Sequence, residues 1–275
     1  MSPKRRLGSN QLPAPARFAS RPVIRAVPAV ARAIAILRLL ARSSDALGVN
    51  AIARELALVP STALHILRAL VSEGLVTSDP VTKRYRLDSG VLTLARSALR
   101  QDAFAQLVQP EIDALADRFT ATAVGVRMVG LKHMIVVGIS RPDTAIRLHV
   151  DVGSRFPALI SATGRCLAAF GNYPDRDIEK AFRALRWDSA PSYKEWRAEV
   201  EETRQTGFGV DRGNYIRGVT IVAAPVFGRD RAMTHALVAI ALTDQLSATA
   251  VEVMGKELVR SAGRVSERLG GLAQR

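Results

Sequence analysis

From Ala29 the apolar residues Val30, Ala33, Ile34, Leu37 and Leu40 recur at helical spacing, with Arg32, Arg38 and Arg42 off that stripe. The pattern predicts a first helix ending near Ala41. A polar break containing Gly48 follows, and Asn50, a residue type that favours helix N-caps, is expected to open a two-turn helix over Ala51 to Leu56. Pro60, Ser61 and Thr62 then start a third helix that carries Ala63, Leu64, Leu67, Leu70 and Val71 on one side and stops at Gly74. Beyond it, Leu75-Val76-Thr77 and Lys83 to Leu87 flank the turn formers Asp79 and Pro80, which predicts a hairpin. Helix, short helix, tight turn, helix and basic hairpin is the element order of a winged helix-turn-helix domain.

The pattern changes character further along. Ser89 to about Phe119 reads as helical with an interruption near Pro110. Residues 122 to 151 switch to a two-residue period, as in Met134 to Ile139 and then Ile146, Leu148 and Val150. Helices are predicted at Thr163 to Phe170, Asp175 to Leu185, Tyr193 to Thr206 and Ser247 to Leu269, and strands at Gly207 to Asp211, Val219 to Phe227 and His235 to Leu242. The fold class expected is an all-α winged helix-turn-helix domain followed by an α+β domain with a largely antiparallel sheet. The boundaries are 1–28 for a basic arm, 29–88 for the winged helix, 89–108 for a linker helix and 109–272 for the second domain.

Charge separates the two halves. The 275 residues carry a formal +14, but residues 1–100 hold 16 basic and 5 acidic side chains (net +11), and residues 101–275 hold 23 and 20 (net +3). A localised cationic face attracts nucleic acid or anionic lipid, and its coincidence with a helix-turn-helix and a basic hairpin selects duplex DNA. The first 28 residues contain five prolines and no carboxylate before Asp45, so they are expected to be disordered. Such a start also fits a transit peptide, but its prolines spoil the amphipathic helix; a flexible arm adding nonspecific DNA affinity is the preferred reading. Apolar residues make up 48% of the chain, enough for a globular core. No run approaches the roughly 18 apolar residues of a membrane span. With a single cysteine and no secretory segment, a soluble protein of a reducing, cytoplasmic compartment is expected.

Catalytic chemistry has little support. His65, His133, His149 and His235 are isolated, no paired cysteines occur, and no metal site or cofactor is expected. Cys166 sits at a helix start but among Leu167, Ala168 and Ala169, a core environment. No nucleophile elbow or phosphate loop is present, and Gly207, Gly209 and Gly213 lack dinucleotide-fingerprint spacing. The chain is therefore read as not an enzyme.

Three stretches resemble the IclR family of bacterial transcriptional regulators. They are Pro60-Ser61-Thr62 with Gly74-Leu75-Val76 and Tyr85-Arg86-Leu87; Phe156 to Arg165; and Gly207 to Asp211 continuing through Gly218, Val219 and Ala223 to Val226. The similarity runs from about residue 27 to 270. It implies a dimerising linker helix, a GAF-like effector domain, and assembly as a homodimer or homotetramer on operator DNA. On the recognition helix Ser61, Thr62, His65 and Arg68 lie off the apolar stripe and are candidate DNA contacts, with Lys83, Arg84 and Arg86 on the wing. His65 stands where the family usually has Arg, which changes the base contact available there.

For the effector, Ala162-Thr163-Gly164 at a helix start offers free N–H groups suited to a carboxylate. The resemblance makes this segment, with Leu159, one pocket wall and Asp211 with the strands after Gly218 and His235 the other. The sequence departs from the family at Asn214, where Glu is common, at Ile221, where Cys is common, and at Ala241 and Thr243, where small hydroxyl residues are common. A less acidic, more apolar pocket for an aromatic or branched carboxylic acid is expected. Two rival functions remain: an enzyme using Cys166 or Asp211, and a nonspecific DNA-coating protein.

Overall fold

A computed structural model describes residues 27–140, 150–228 and 230–272, which fall into two compact units meeting between Leu94 and Ala95. Residues 1–26 of the basic arm, His149 and the strand positions Ile146 and Leu148 lie outside the described residues, whereas Pro28, assigned to the arm, heads the first helix.

In the first unit, α1 (Pro28–Arg42) starts on a proline, whose missing N–H is no loss in a first helical turn, and buries Ile36, Leu39 and Leu40. Helices α2 (Val49–Glu55) and α3 (Pro60–Ser72) close over the same core, adding Ile52, Leu67 and Leu70. The expected Asn50 cap is corrected: α2 begins at Val49 with Gly48 as its cap residue, so Asn50 lies within the first turn. Gly74, at φ +66°, turns the chain out of α3 while Leu75 N–H returns to the Leu70 carbonyl. The hairpin of β2 (Val76–Ser78) and β3 (Arg84–Leu87) gains a strand the sequence did not reveal, β1 (Leu47–Gly48), giving the order β1-β3-β2. On β3 the two-residue period buries Tyr85 and leaves Arg84 and Arg86 exposed.

The predicted interruption near Pro110 is also corrected. The helical stretch breaks at Asp102, between α4 (Gly90–Gln101) and α5 (Ala103–Phe119), while Pro110 sits inside α5. The Asp102 carboxylate accepts from Phe104 N and Ala105 N at 3.0 and 3.3 Å and so caps α5. Burial of Leu107, Val108, Ile112 and Leu115 on both sides of the proline holds the helix together.

The second unit is built on a six-stranded antiparallel sheet in the order β6-β5-β4-β9-β8-β7. Its strands are β4 (Thr122–Val129), β5 (His133–Ile139), β6 (Arg155–Pro157), β7 (Gly209–Arg212), β8 (Val219–Phe227) and β9 (Met233–Leu242). One face packs against α5 and α9 (Ala248–Leu272) through Ala123, Val222, Ala224, Leu237, Met254 and Leu258. The other packs against α6 (Ser161–Phe170), α7 (Asp175–Arg183) and α8 (Tyr193–Thr206) through Val124, Val136, Leu159, Leu167, Trp196 and Val238. Alternation along each strand supplies both layers. Among the described residues no single helix is long and apolar enough to cross a membrane.

Candidate DNA interface and effector cavity

On α3 the buried Ala63, Leu67 and Leu70 fix the helix's orientation, and Ser61, His65 and Arg68, spaced by four and three residues, are all exposed on the other side. Thr62 is half-buried at the edge of that face. The wing presents Lys83, Arg84 and Arg86 to solvent, and Arg84 Nη1 donates to the Ala46 carbonyl at 3.4 Å. The turn between β2 and β3 is held by Asp79, whose Oδ1 accepts from Val81 N and Thr82 N at 2.8 Å each. Those two backbone donors hold its carboxyl below the usual range. Asp79 thus orders the loop that carries the wing cations, a role its turn propensity alone did not reveal.

In the second unit a cavity of about 160 Å³ opens on the α6 side of the sheet. Strands supply most of its wall: Val124 and Val126 from β4, Met134 and Val136 from β5, Ile221 from β8, Val238 and Ile240 from β9. Phe156, Tyr215 and Ile216 add to it, and Ser161 and Thr163 at the start of α6 supply hydroxyls. Both residues are almost fully buried. The chain enters α6 from an extended Ile160 through Ser161 at φ +55°, a left-handed conformation unusual for a side-chain-bearing residue. A helix start leaves its first N–H groups without intrahelical partners, so this end of the cavity combines hydroxyl and backbone donors.

Of the residues proposed from sequence, the structure brings Thr163 and Ile221 to the cavity. Leu159 and Ala162 are buried in the core layer beside it. Gly164 packs against the preceding backbone, where an added Cβ would lie 2.0 Å from the Leu159 carbonyl oxygen. Ala241 faces the opposite, α5–α9 side of the sheet, because its neighbour Ile240 takes the cavity side. Thr243 stands beyond the end of β9 with its hydroxyl 3.0 Å from that of Thr220.

Asp211 and Asn214 are held by Arg165, whose side chain is 1% exposed. Arg165 Nη1 donates to the Ser161 carbonyl (3.0 Å) and Asp211 Oδ2 (3.2 Å), Nη2 to Asn214 Oδ1 (2.9 Å), and Nε to Glu199 Oε2 (2.8 Å). Nη2 also lies 2.6 Å from Glu199 Oε2. Asp211 Oδ1 accepts from Asn214 N and Tyr215 N at 2.9 and 3.3 Å. Cys166, beside this network, donates its thiol to the Ala223 carbonyl at 3.2 Å. Burial pushes that thiol up to about 12 against the opposing effects of Gly209 N–H and Arg165, so it stays protonated and is a poor nucleophile. Among the described residues no three His, Cys, Asp or Glu side chains converge as a metal site.

Two family models match the chain: the IclR helix-turn-helix domain over residues 29–80 and the bacterial transcriptional regulator IclR C-terminal domain over residues 96–267. The chain is 31% identical over 212 residues to the glycerol operon regulatory protein of Streptomyces griseus, covering 75% of this chain and 82% of that protein. A solved IclR transcriptional regulator from Alicyclobacillus acidocaldarius superposes with a TM-score of 0.80 at 28% identity, covering 90% of this chain and all of that one. The fold is also that of an IclR homolog from Microbacterium hydrocarbonoxydans solved with 4-hydroxybenzoate, with a TM-score of 0.71, 20% identity and 88% and 98% coverage.

Proposed function

The chain belongs to the IclR family of bacterial transcriptional regulators, and from that premise we propose that it answers to a small carboxylic acid with an aromatic or branched apolar body. The observation that carries this is the cavity lining, ten apolar residues and Tyr215 against one polar end formed by Ser161 and Thr163. The carboxylate takes the hydroxyls and the α6 N–H groups; the apolar body fills the strand-lined part. A cavity of about 150 Å³ accommodates a benzene ring, so 160 Å³ suits a single ring or a short branched chain. The relative solved with 4-hydroxybenzoate supports the same ligand class.

In this reading residues 29–88 bind DNA, 89–108 link, and 109–272 sense the effector. Two copies place their α3 helices in successive major grooves of a roughly palindromic operator. Ser61, Thr62, His65 and Arg68 read bases, and Lys83, Arg84 and Arg86 hold phosphates. The protein acts in the cytoplasm as a homodimer or homotetramer and performs no catalysis. Effector binding changes DNA affinity as a coupling between two sites. The test is a mobility-shift assay on DNA upstream of its own gene, with benzoate, 4-hydroxybenzoate, isovalerate, glyoxylate and pyruvate as additions. A shift altered by the first three supports the proposal; one altered only by glyoxylate or pyruvate overturns it.

A further inference from the structure

Arg165 does not line the cavity, yet both walls of its polar end hang on it. On one side Nη1 holds the carbonyl of Ser161, the residue in left-handed conformation whose hydroxyl faces the cavity. On the other, Nη1 and Nη2 hold Asp211 and Asn214, and Asp211 in turn holds the backbone N–H of Tyr215, a residue of the facing wall. A guanidinium has five N–H donors. Here they are directed to the Ser161 carbonyl, Asp211, Asn214 and, twice, Glu199. No donor is left for a ligand.

We infer that Arg165 is the positioning residue of the effector cavity, a clasp that sets the Ser161 and Tyr215 walls relative to each other and keeps the Asp211 carboxylate turned away from the ligand. The inference rests on the reading of this cavity as the effector site. One cation shared by Asp211 and Glu199 leaves the clasp with a net single negative charge, and Asp211 is fully buried whereas the Glu199 side chain is 39% exposed. An effector carboxylate at the α6 end therefore binds against a residual like charge, which loosening the clasp would bring closer.

The experiment measures binding of benzoate and its neutral counterpart benzamide to the full chain by calorimetry, alongside thermal unfolding. Lysine keeps the charge of Arg165 but cannot reach four partners at once. Arg165→Lys is expected to weaken benzoate about ten-fold, the scale of one misplaced hydrogen bond to a charged group, and benzamide less than about three-fold. Glu199→Gln can keep an acceptor on Arg165 and removes one negative charge, so it should tighten benzoate about two-fold or more and leave benzamide unchanged. Equal loss of both ligands in Arg165→Lys, or no effect of Glu199→Gln on benzoate, overturns the clasp; if Arg165→Lys fails to fold, Glu199→Gln decides alone. A wild-type protein that binds neither compound overturns the benzoate-type cavity reading and the clasp with it. Wild-type binding of benzoate with the variant results reversed sinks only the clasp.

Discussion

The imidazole of His235 lies against the ring of Phe104, with centroids 4.1 Å apart and planes 25° from parallel. The contact joins β9 to the first turn of α5 immediately after the α4–α5 break. Asp102, at that break, caps α5 with one carboxylate oxygen and accepts from Arg127 Nη1 with the other at 3.1 Å. Arg127 in turn pairs with His235 across β4 and β9. Cavity residues Val126 and Val238 belong to the same two strands, so the junction and the cavity share one piece of sheet.

This arrangement predicts acid sensitivity. Burial lowers His235 from 6.5 to about 4, with Asp102 opposing the shift and Arg127 reinforcing it. The folded state thus binds the proton less readily than the unfolded state. Stability is unaffected by this group above about pH 6.5 and falls as pH drops from there to about 4, by up to about 3 kcal/mol at 1.36 kcal/mol per unit. Denaturant unfolding at several pH values should show the slope, and His235→Phe, which keeps a stacked ring without a proton to bind, should flatten it. An unchanged slope in that variant would assign the effect elsewhere.

Ser161 ties strain to binding. Its φ of +55° costs a side-chain-bearing residue on the order of 1 kcal/mol, which glycine avoids. Ser161→Gly should therefore leave thermal stability equal or higher while weakening a benzoate-type effector by about 1–2 kcal/mol through the lost hydroxyl. A parallel fall in melting temperature and affinity would mean that the conformation serves packing alone.

How far these features could be read in advance depends on what fixes them. Helix extents follow local periodicity, and α8 coincides with its sequence pattern, because its ends are set by a Ser192–Glu195 capping box and by Gly207 at positive φ. The Asp102 break is hard to read in the sequence because a proline eight residues later is the louder local signal, whereas tertiary burial decides the outcome. The cavity required strand register: Val126 lines it between Val136 on one side and Ala236 on the other, and no period along one strand reveals that partnership. A one-residue offset on β9 separates Ala241 from the cavity-facing Ile240. Arg165 and Asp211 are 46 residues apart, and only the fold shows them sharing charge.

Gly164 tests the packing under the α6 start. A methyl group there would meet the Leu159 carbonyl oxygen, carbonyl carbon and Cα at 2.0, 2.1 and 2.5 Å, all backbone atoms with little freedom to yield. Gly164→Ala should cost about 3 kcal/mol or more, at the upper end of overpacking effects, in unfolding experiments without ligand. A near-neutral effect would show that Leu159 and α6 can separate, and that the cavity's polar end is softer than its contacts indicate.

The division of labour on the DNA side can be separated by salt. Arg84 lies exposed on a wing strand whose alternate residue Tyr85 is in the core, and with only Nη1 engaged among the described residues, by the Ala46 carbonyl at 3.4 Å, its guanidinium keeps donors for the phosphate contact proposed for it. Removing one phosphate contact reduces the slope of log affinity against log salt by about 0.9 and weakens binding to all duplexes alike. His65 lies on the exposed side of α3, four residues after Ser61, and a base edge is the contact proposed for it. Its loss should cost about 1–3 kcal/mol on the operator and little on unrelated DNA. Fluorescence anisotropy of Arg84→Ala and His65→Ala, on operator and scrambled duplexes from low to moderate salt, separates the two effects. Arg84→Ala should give a flatter salt line on both duplexes with an unchanged ratio between them; His65→Ala should keep the slope and shrink the ratio. If both variants lower both affinities equally at unchanged slope, neither side chain has the role that its position on α3 or the wing suggests.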